Sequence, residues 1–553
     1  MWSPFCLGGF LLGGLRYVFA VVLVGLILLA GYFLYVKPNG NLQNQDLVDH
    51  YETAQAQVVT DLRLGICELD TMNPVLSHNK NVQFYSKLVF EPLLDVNQDF
   101  SLSNCLASEC SKTGDKSYII KLRQDVKWQD GQAFSARDVQ FTINKLKEGI
   151  NSIYANNVTA ISGIEIIDDY TIKLNLYETT PFFEYNLIFP IMPAHYYSEV
   201  DFTNFEVIPI GTGMYKIAEQ NSDYIKLAKN TFWWNTNKTP KVETITINTY
   251  VNTGEIFNAF KIGNVDLVVT ENVNFADYIG TIGFQHKIFK GREYDFIAIN
   301  TTHNVLSEKE VRQAINYGID KNNIVASIFN NRYFVANGNL DFGSWLYRDS
   351  SKMSEYNIEY AQQCLIDNGW NITSRQWQKV ENYKTLRTNF NLVVNASNAE
   401  RVQVAENIKV QLANIGVVIN LKKVNDWQYN EYLKNKNYDL ILTGTNISIN
   451  PSLQTYFGAN NLTNYSNEDV MKLLNETINI TDKSLLKEKF ATIQETTNEQ
   501  FVYIPLYINK NVVLYSTDLI GDVSPNWYNI FYNIENWYRQ NWKKLLTKFF
   551  ISI

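Results

Sequence analysis

Apolar and polar positions follow three different rhythms along this chain, and each predicts a different element. Near the start, Tyr17–Val36 (YVFAVVLVGLILLAGYFLYV) is an apolar run of 20 residues, long enough to cross a bilayer as a helix. Arg16 precedes it and Lys37-Pro38 follows. Residues 39–60 are polar and read as a linker. Beyond them, two-residue alternation predicts strands at 61–69 (DLRLGICEL), 116–123, 171–178 and 223–229. A helical rhythm predicts helices at 135–148, 308–328, 399–415, 467–480 and 483–500. Ser135 is the expected N-cap of the first, with Val139, Ile143 and Leu146 on one face. Gly416 closes the 399–415 helix, and the strand VVINLKKV follows directly. The interleaving is that of a mixed α/β protein, and 553 residues are too many for one core.

The apolar head has two readings. The core of a cleaved signal is usually about 7–15 residues, so the longer Tyr17–Val36 run favours an uncleaved anchor over 1–38. Leu29-Ala30-Gly31 matches the first three positions of a bacterial lipoprotein signal. Tyr32 stands where lipidation requires a cysteine thiol, so no lipid is expected there. One basic residue on each side leaves the topology open.

Composition narrows the function. Hydrophobic residues are 46% and aromatics 14%, which is globular. The net charge of −8 is spread out, and no basic block points to nucleic acid. Of five cysteines, Cys6 lies in the apolar head and Cys364 on a helical pattern, where a buried thiol serves as a small apolar residue. Cys105 and Cys110 flank CLASEC; in an oxidising compartment they form either a local disulfide or two thiols. Their spacing is wrong for zinc. The five histidines make no HExxH or i, i+4 pair, and no nucleophile elbow, P-loop, dinucleotide fingerprint or CxxC occurs. Asp168 and Asp169 are adjacent on a strand and point to opposite faces. The expectation is a protein that is not an enzyme and holds no cofactor or metal.

Six segments, in one order from about residue 61 to 537, resemble the peptide/nickel class of bacterial solute-binding proteins, family 5, with its oligopeptide, dipeptide and Sap-type receptors. They are LDTMNPVLSHNKNVQFYSKLVFEPLLDVNQ (69–98), IIKLRQDVKWQDGQAFSARDVQFTINKL (119–146), IGTGMYKI with KNTFWWNTNKTPKVETITI (210–247), FKIGNVDLV (260–268), FIAINTTHNVLSEKEVRQAINYGIDKNNIV (296–325) and YIPLY (503–507). The second is the most specific, close to the family's "F.LR..v.W.DG.p.tA.Dv.fs…l". The local physics of these motifs is structural. Asp130-Gly131 makes a turn needing positive φ, and Trp128 fills the core beside it. Gly211 and Gly213 suit a tight backbone crossing. Arg312 and Asp320 are expected on one helix face, bracing neighbouring elements.

The resemblance implies a two-lobed periplasmic-binding-protein fold (type II) with an extra β-rich subdomain, preceded here by one N-terminal transmembrane helix. By motif position, lobe I is 61–91, 206–295 and 505–538, with 92–205 inserted in it; lobe II is 296–504, and 539–553 is a short basic and apolar tail. Such receptors close on a ligand like a hinge and deliver it to a permease driven by ATPase subunits. The bulk of the chain would face the periplasm or exterior. A peptide is the expected solute; an oligosaccharide, metal chelate or haem, or an envelope role without import, are the alternatives.

Dipeptide and oligopeptide receptors carry a loop "GW..D..DP" whose first Asp pairs with the ligand's α-ammonium. The matching stretch is YDLILTGTNISINPSLQTYF (438–457). Gly444 and Pro451 align, but Thr445 replaces Trp, Ile447 or Ser448 stands at the Asp position, and Asn450 replaces the second Asp. The ammonium anchor is missing. Asn446, Ser448 and Asn450 remain to meet backbone amides or hydroxyls. Upstream, Arg401 either receives a ligand carboxylate or belongs to the following helix. Thr445, Asn446, Ile447, Ser448, Asn450, Arg401 and Glu91 are the candidate ligand-binding residues.

Overall fold

The computed structural model describes residues 58–281, 283–340, 343–349 and 355–540. The expected Tyr17–Val36 span, Cys6, and most of the linker and tail lie outside these residues. Among the described residues, no helix is long and apolar enough to cross a membrane.

Strand Asp61–Cys67 opens a four-stranded sheet. Thr244–Tyr250 lies parallel beside it, then Tyr224–Lys229 and Tyr215–Gln220. Alternation decides which side is core: Leu62, Leu64 and Ile66 are fully buried and share a core with Ile225, Leu227, Ile245 and Ile247. Each such side chain stabilises the fold by about 1.5–3 kcal/mol. On the other face Arg63 pairs with the buried Asp266 at 2.6 Å, and Arg539 approaches the same carboxylate at 3.4 Å. Val58–Val59 pairs with Arg539 and Gln540, so the two ends of the described chain meet.

A second four-stranded sheet holds Ala107–Gly114, Ser117–Leu122, Thr171–Leu176 and Ile161–Asp168. Helix Ala136–Lys147 shares its core through Val139, Ile143 and Leu146. The Asp138 carboxylate accepts from the Ser135 N–H at 2.8 Å and satisfies the helix start. Trp128 is fully buried beside Phe134. Gly131 has φ +90°, and Asp130 meets the His195 ring at 2.7 Å. A Cβ on Gly211 would lie 1.9 Å from the Val89 carbonyl oxygen, and one on Gly213 2.7 Å from the Val89 carbonyl carbon. Two backbones touch there, and only glycine fits.

The two thiols at 105 and 110 are free, which corrects the disulfide option. Cys105 is buried in the bend before strand Ala107–Gly114, while Cys110 lies along that strand. From residue 107 the strand carries Cys110 away from the bend at about 3.4 Å per residue, whereas a disulfide needs Cα atoms within roughly 7 Å.

A seven-stranded sheet has the order Leu267–Thr270, Tyr503–Ser516, Phe284–Ile299, Leu440–Asn446, Asn389–Asn395 and Val418–Val424; Tyr333–Val335 also pairs with Tyr503–Ser516. Helix Ala399–Asn414 joins the parallel strands Asn389–Asn395 and Val418–Val424, and Gly416 with φ +83° ends it. Strands Phe284–Ile299 and Tyr503–Ser516 are the longest in the sheet and run antiparallel. One end of the pair gives Phe289, Val513 and Tyr515 to the first core. The other gives Ile297, Ile299, Ile504 and Leu506 to the core around Leu392 and Ile408. This pair therefore joins the lobes.

The 308–328 pattern is two helices, Lys309–Tyr317 and Lys321–Ser327. Arg312 and Asp320 are accordingly not on one helix face. The Arg312 guanidinium donates to the Leu306, Ser307 and Gln500 carbonyls. Asp320 instead caps the second helix, accepting from the Asn323 N–H at 2.9 Å.

Candidate ligand-binding site

The site grows from an irregularity in the lobe-joining strands. Pairing of Phe284–Lys290 with Lys510–Ser516 is regular, and it resumes at Tyr294. Between them Gly291, Arg292 and Glu293 break the register, as a glycine within a strand often signals. A Cβ on Gly291 would lie 1.9 Å from Asn509 Oδ1. That oxygen accepts from the Glu293 N–H at 3.0 Å. Arg292 and Glu293 are both partly open to solvent there.

Glu293 and Asp295 pair in register with Asn446 and Gly444 of the adjoining strand. Asp295 is buried and receives Arg401 twice, Nε to Oδ2 at 2.8 Å and Nη2 to Oδ1 at 2.7 Å. The Tyr507 hydroxyl donates to the same carboxylate at 3.0 Å. Burial works against the Arg401 charge, but the hydrogen bonds and charge of Asp295 outweigh it and raise the guanidinium pKa. A Cβ on Gly444 would lie 1.9 Å from Asp295 Oδ1 and 2.3 Å from Arg401 Nη2. Glycine at 444 is what lets this pair close.

Around the pair lies a cavity of 330 Å³, lined among others by Glu293, Phe329, Tyr333, Thr445 and Asn446. A second cavity of 180 Å³ takes Lys80, Phe84 and Trp527 from the first lobe and Asn446 from the second, with Asn509 and Asn511 from the joining strand. Both cavities include Glu293 and Asn446. Together they form a groove across the lobe junction.

The candidate residues divide. Thr445, Asn446 and Arg401 line the groove. Arg401 stands in the first turn of the helix, where its N–H is capped by Asn398, while its side chain reaches Asp295. Ile447 does not line it: the side chain is 6% exposed in a core, and its carbonyl accepts from Arg292 Nε at 3.0 Å. Ser448 and Asn450 are also outside it, because Ser448 Oγ accepts from the Asn450 N–H and the Asn450 amide donates to the Pro181 and Phe182 carbonyls. Glu91 sits in a third cavity of 260 Å³ that shares no lining residue with the groove. Its carboxylate is enclosed by Trp233, Trp234 and Thr212. Burial raises its pKa against those three donors.

Glu293, Asp295, Tyr507, Asn509, Asn511, Lys80 and Trp527 escaped the reading of the sequence. A signal was present in KGREYDF, where a glycine and four charges interrupt an apolar strand.

Two lobes joined by a pair of long strands, with a polar groove at the junction, define a solute-binding receptor of the periplasmic type. The comparisons agree: the chain matches the family of bacterial extracellular solute-binding proteins, family 5, over residues 102–467, and it belongs to that family. The oligopeptide-binding protein AppA of Bacillus subtilis is 25% identical over 449 residues, covering 77% of this chain and 81% of the relative. The glutathione-binding protein GsiB of Escherichia coli is 24% identical over 487 residues, 82% of this chain and 89% of the relative. Among solved structures, the periplasmic murein tripeptide binding protein MppA, in its unliganded open form, shares the fold with a TM-score of 0.74 at 16% identity, over 88% of this chain and 99% of that one.

Proposed function

We propose that this chain is the extracytoplasmic receptor of an ABC-type importer, taking a peptide into the groove and presenting it to a permease. The observation that carries this is the groove at the lobe junction, 330 and 180 Å³ in its two parts, lined by charged, amide, hydroxyl and aromatic side chains. Cavities of that size suit a small ligand, and groups from both lobes reward closure around it. The relatives support a peptide: one is an oligopeptide-binding protein, another a glutathione-binding protein. The division into lobe I, its insert and lobe II given above is proposed with it.

Titration of the full-length protein with defined peptides, followed by tryptophan fluorescence, tests the proposal, since Trp527 lines the groove. Saturable quenching by peptides supports it. Saturation by a maltooligosaccharide or a nickel–histidine chelate alone removes it.

Tyr17–Val36 is proposed as the membrane anchor, with the remainder outside the cytoplasm. Alkaline carbonate washing should leave the protein in the membrane pellet. A soluble form beginning near residue 39 contradicts the anchor.

A further inference from the structure

The tail NWKKLLTKFFISI (541–553) carries a pattern that the groove does not account for. It lies outside the described residues, so the pattern is one of sequence. Trp542, Leu545, Leu546, Phe549, Phe550 and Ile553 recur three and one residues apart in turn, which is one face of an α-helix. Lys543, Lys544 and Lys548 fall on the other face, and Ile551 is the one apolar residue among them. The segment is shorter than the about 20 residues that cross a bilayer. It is also near the lower limit for a helix standing alone in water. An aromatic and aliphatic face opposite a lysine face suits the surface of a membrane, where a helix lies in the plane.

The fold shows where this segment starts. Strand Tyr538–Gln540 pairs with Val58–Val59, at the end of the linker that follows Tyr17–Val36. Arg539 fastens it: Nη1 meets Asp61 at 3.2 Å, and Nε lies 3.4 Å from the buried Asp266. The Lys241 ammonium stands over the Tyr538 ring, 4.8 Å from its centre. The tail therefore leaves the fold where the linker enters it.

The surface beside that exit supplies a second observation. The Gln540 N–H donates to the Asp518 carbonyl at 2.9 Å, and the Thr517 N–H to the Gly283 carbonyl at 3.2 Å. Close by, the Thr281 N–H donates to the Lys261 carbonyl at 2.8 Å. Gly280 packs on the same backbone, since a Cβ there would lie 2.3 Å from the Lys261 carbonyl oxygen. Ile279 and Ile262 flank this contact and are 71% and 59% exposed, although Tyr278 and Val265 nearby are buried. Two neighbouring isoleucines so open to water favour an apolar partner. Asp277 and Asp518 are the charged groups around them, so attraction to anionic lipid has to come from the lysines of the tail.

We infer that residues 541–553 form a helix in the surface of an anionic bilayer, with Lys543, Lys544 and Lys548 at the phospholipid headgroups, and that Ile262 and Ile279 meet the same bilayer. The inference rests on the anchored reading of Tyr17–Val36. A linker alone limits how far the receptor strays from the membrane. A second attachment beside it also sets which side of the receptor faces the membrane.

Hydrogen–deuterium exchange of the full-length protein in nanodiscs, read by mass spectrometry, tests this. The lipid is phosphatidylcholine, with or without phosphatidylglycerol. With the anionic lipid, amides of 541–553 should exchange about 10–100-fold more slowly than without it, and those of 276–281 should slow as well. Changing Lys543→Gln, Lys544→Gln and Lys548→Gln together should abolish this dependence. Lys409→Gln, at an exposed position of helix Ala399–Asn414, should leave it intact. Exchange in 541–553 that ignores lipid charge, or that keeps its dependence in the triple variant, overturns the assignment. Slowing in 541–553 without slowing in 276–281 removes the two isoleucines from it. Free exchange across 17–36 beside a protected tail overturns the anchor alone, and protection of 17–36 with none in 541–553 overturns the tail alone.

Discussion

Asp295 and Arg401 close on one another through two hydrogen bonds of 2.7 and 2.8 Å, tying the lobe-joining strand to the first turn of helix Ala399–Asn414. Both side chains are largely out of solvent, at 12% and 22% exposure. Removing one leaves the other charged, buried and unpaired. Arg401→Ala should therefore lower stability by about 3–5 kcal/mol. In a double-mutant cycle with Asp295→Asn, read by urea denaturation, the coupling should be about 0.5–3 kcal/mol. Additive losses would mean that the pair does not act as a unit.

A steric prediction concerns Gly211. A methyl group there would overlap the Val89 carbonyl oxygen at 1.9 Å, and backbone cannot swing aside as a side chain can. Gly211→Ala should destabilise by about 1–3 kcal/mol or more. Gly163 has nothing within 4 Å of an added Cβ. Gly163→Ala should stay within about 0.5 kcal/mol of the parent. Equal thermal shifts for the two would contradict the crossing at Val89.

Lys321 makes stability depend on pH. It is 3% exposed, and its ammonium meets only the Asn316 amide oxygen at 3.2 Å among the described contacts. Burial pushes its pKa down to about 7, against about 10.4 in an unfolded chain. Below pH 7 both states carry the proton, and the penalty of a buried charge is felt in full. Between pH 7 and about 10.4 the unfolded state alone holds the proton, so stability from this group rises with pH. Lys321→Met removes the penalty. It should stabilise the protein by about 2–4 kcal/mol at pH 6, with the gain shrinking toward pH 10. A gain independent of pH would show that the ammonium is not penalised.

The start of helix Ala136–Lys147 was legible because a cap is local: Ser135 stands one residue before it. The break between Tyr317 and Lys321 was not. The signals stand there, Gly318 ending one helix and Asp320 capping the next, but the apolar rhythm runs through them and masks the break. In the site, Gly444, Thr445, Asn446 and Arg401 could be found by resemblance. Asp295 and Tyr507 could not, because their meeting depends on the register of strands 212 residues apart. Ile447 and Asn450 fall outside the two cavities for the same reason. Their partners, Arg292 and Pro181, come from distant segments of the chain.

The most direct test of a peptide-binding groove is native mass spectrometry of the full-length protein, purified from membranes without refolding, with the released ligand sequenced. Expected is a mixture of short peptides, displaced in competition by trialanine. A single sugar, a metal chelate or haem in their place would contradict peptide capture.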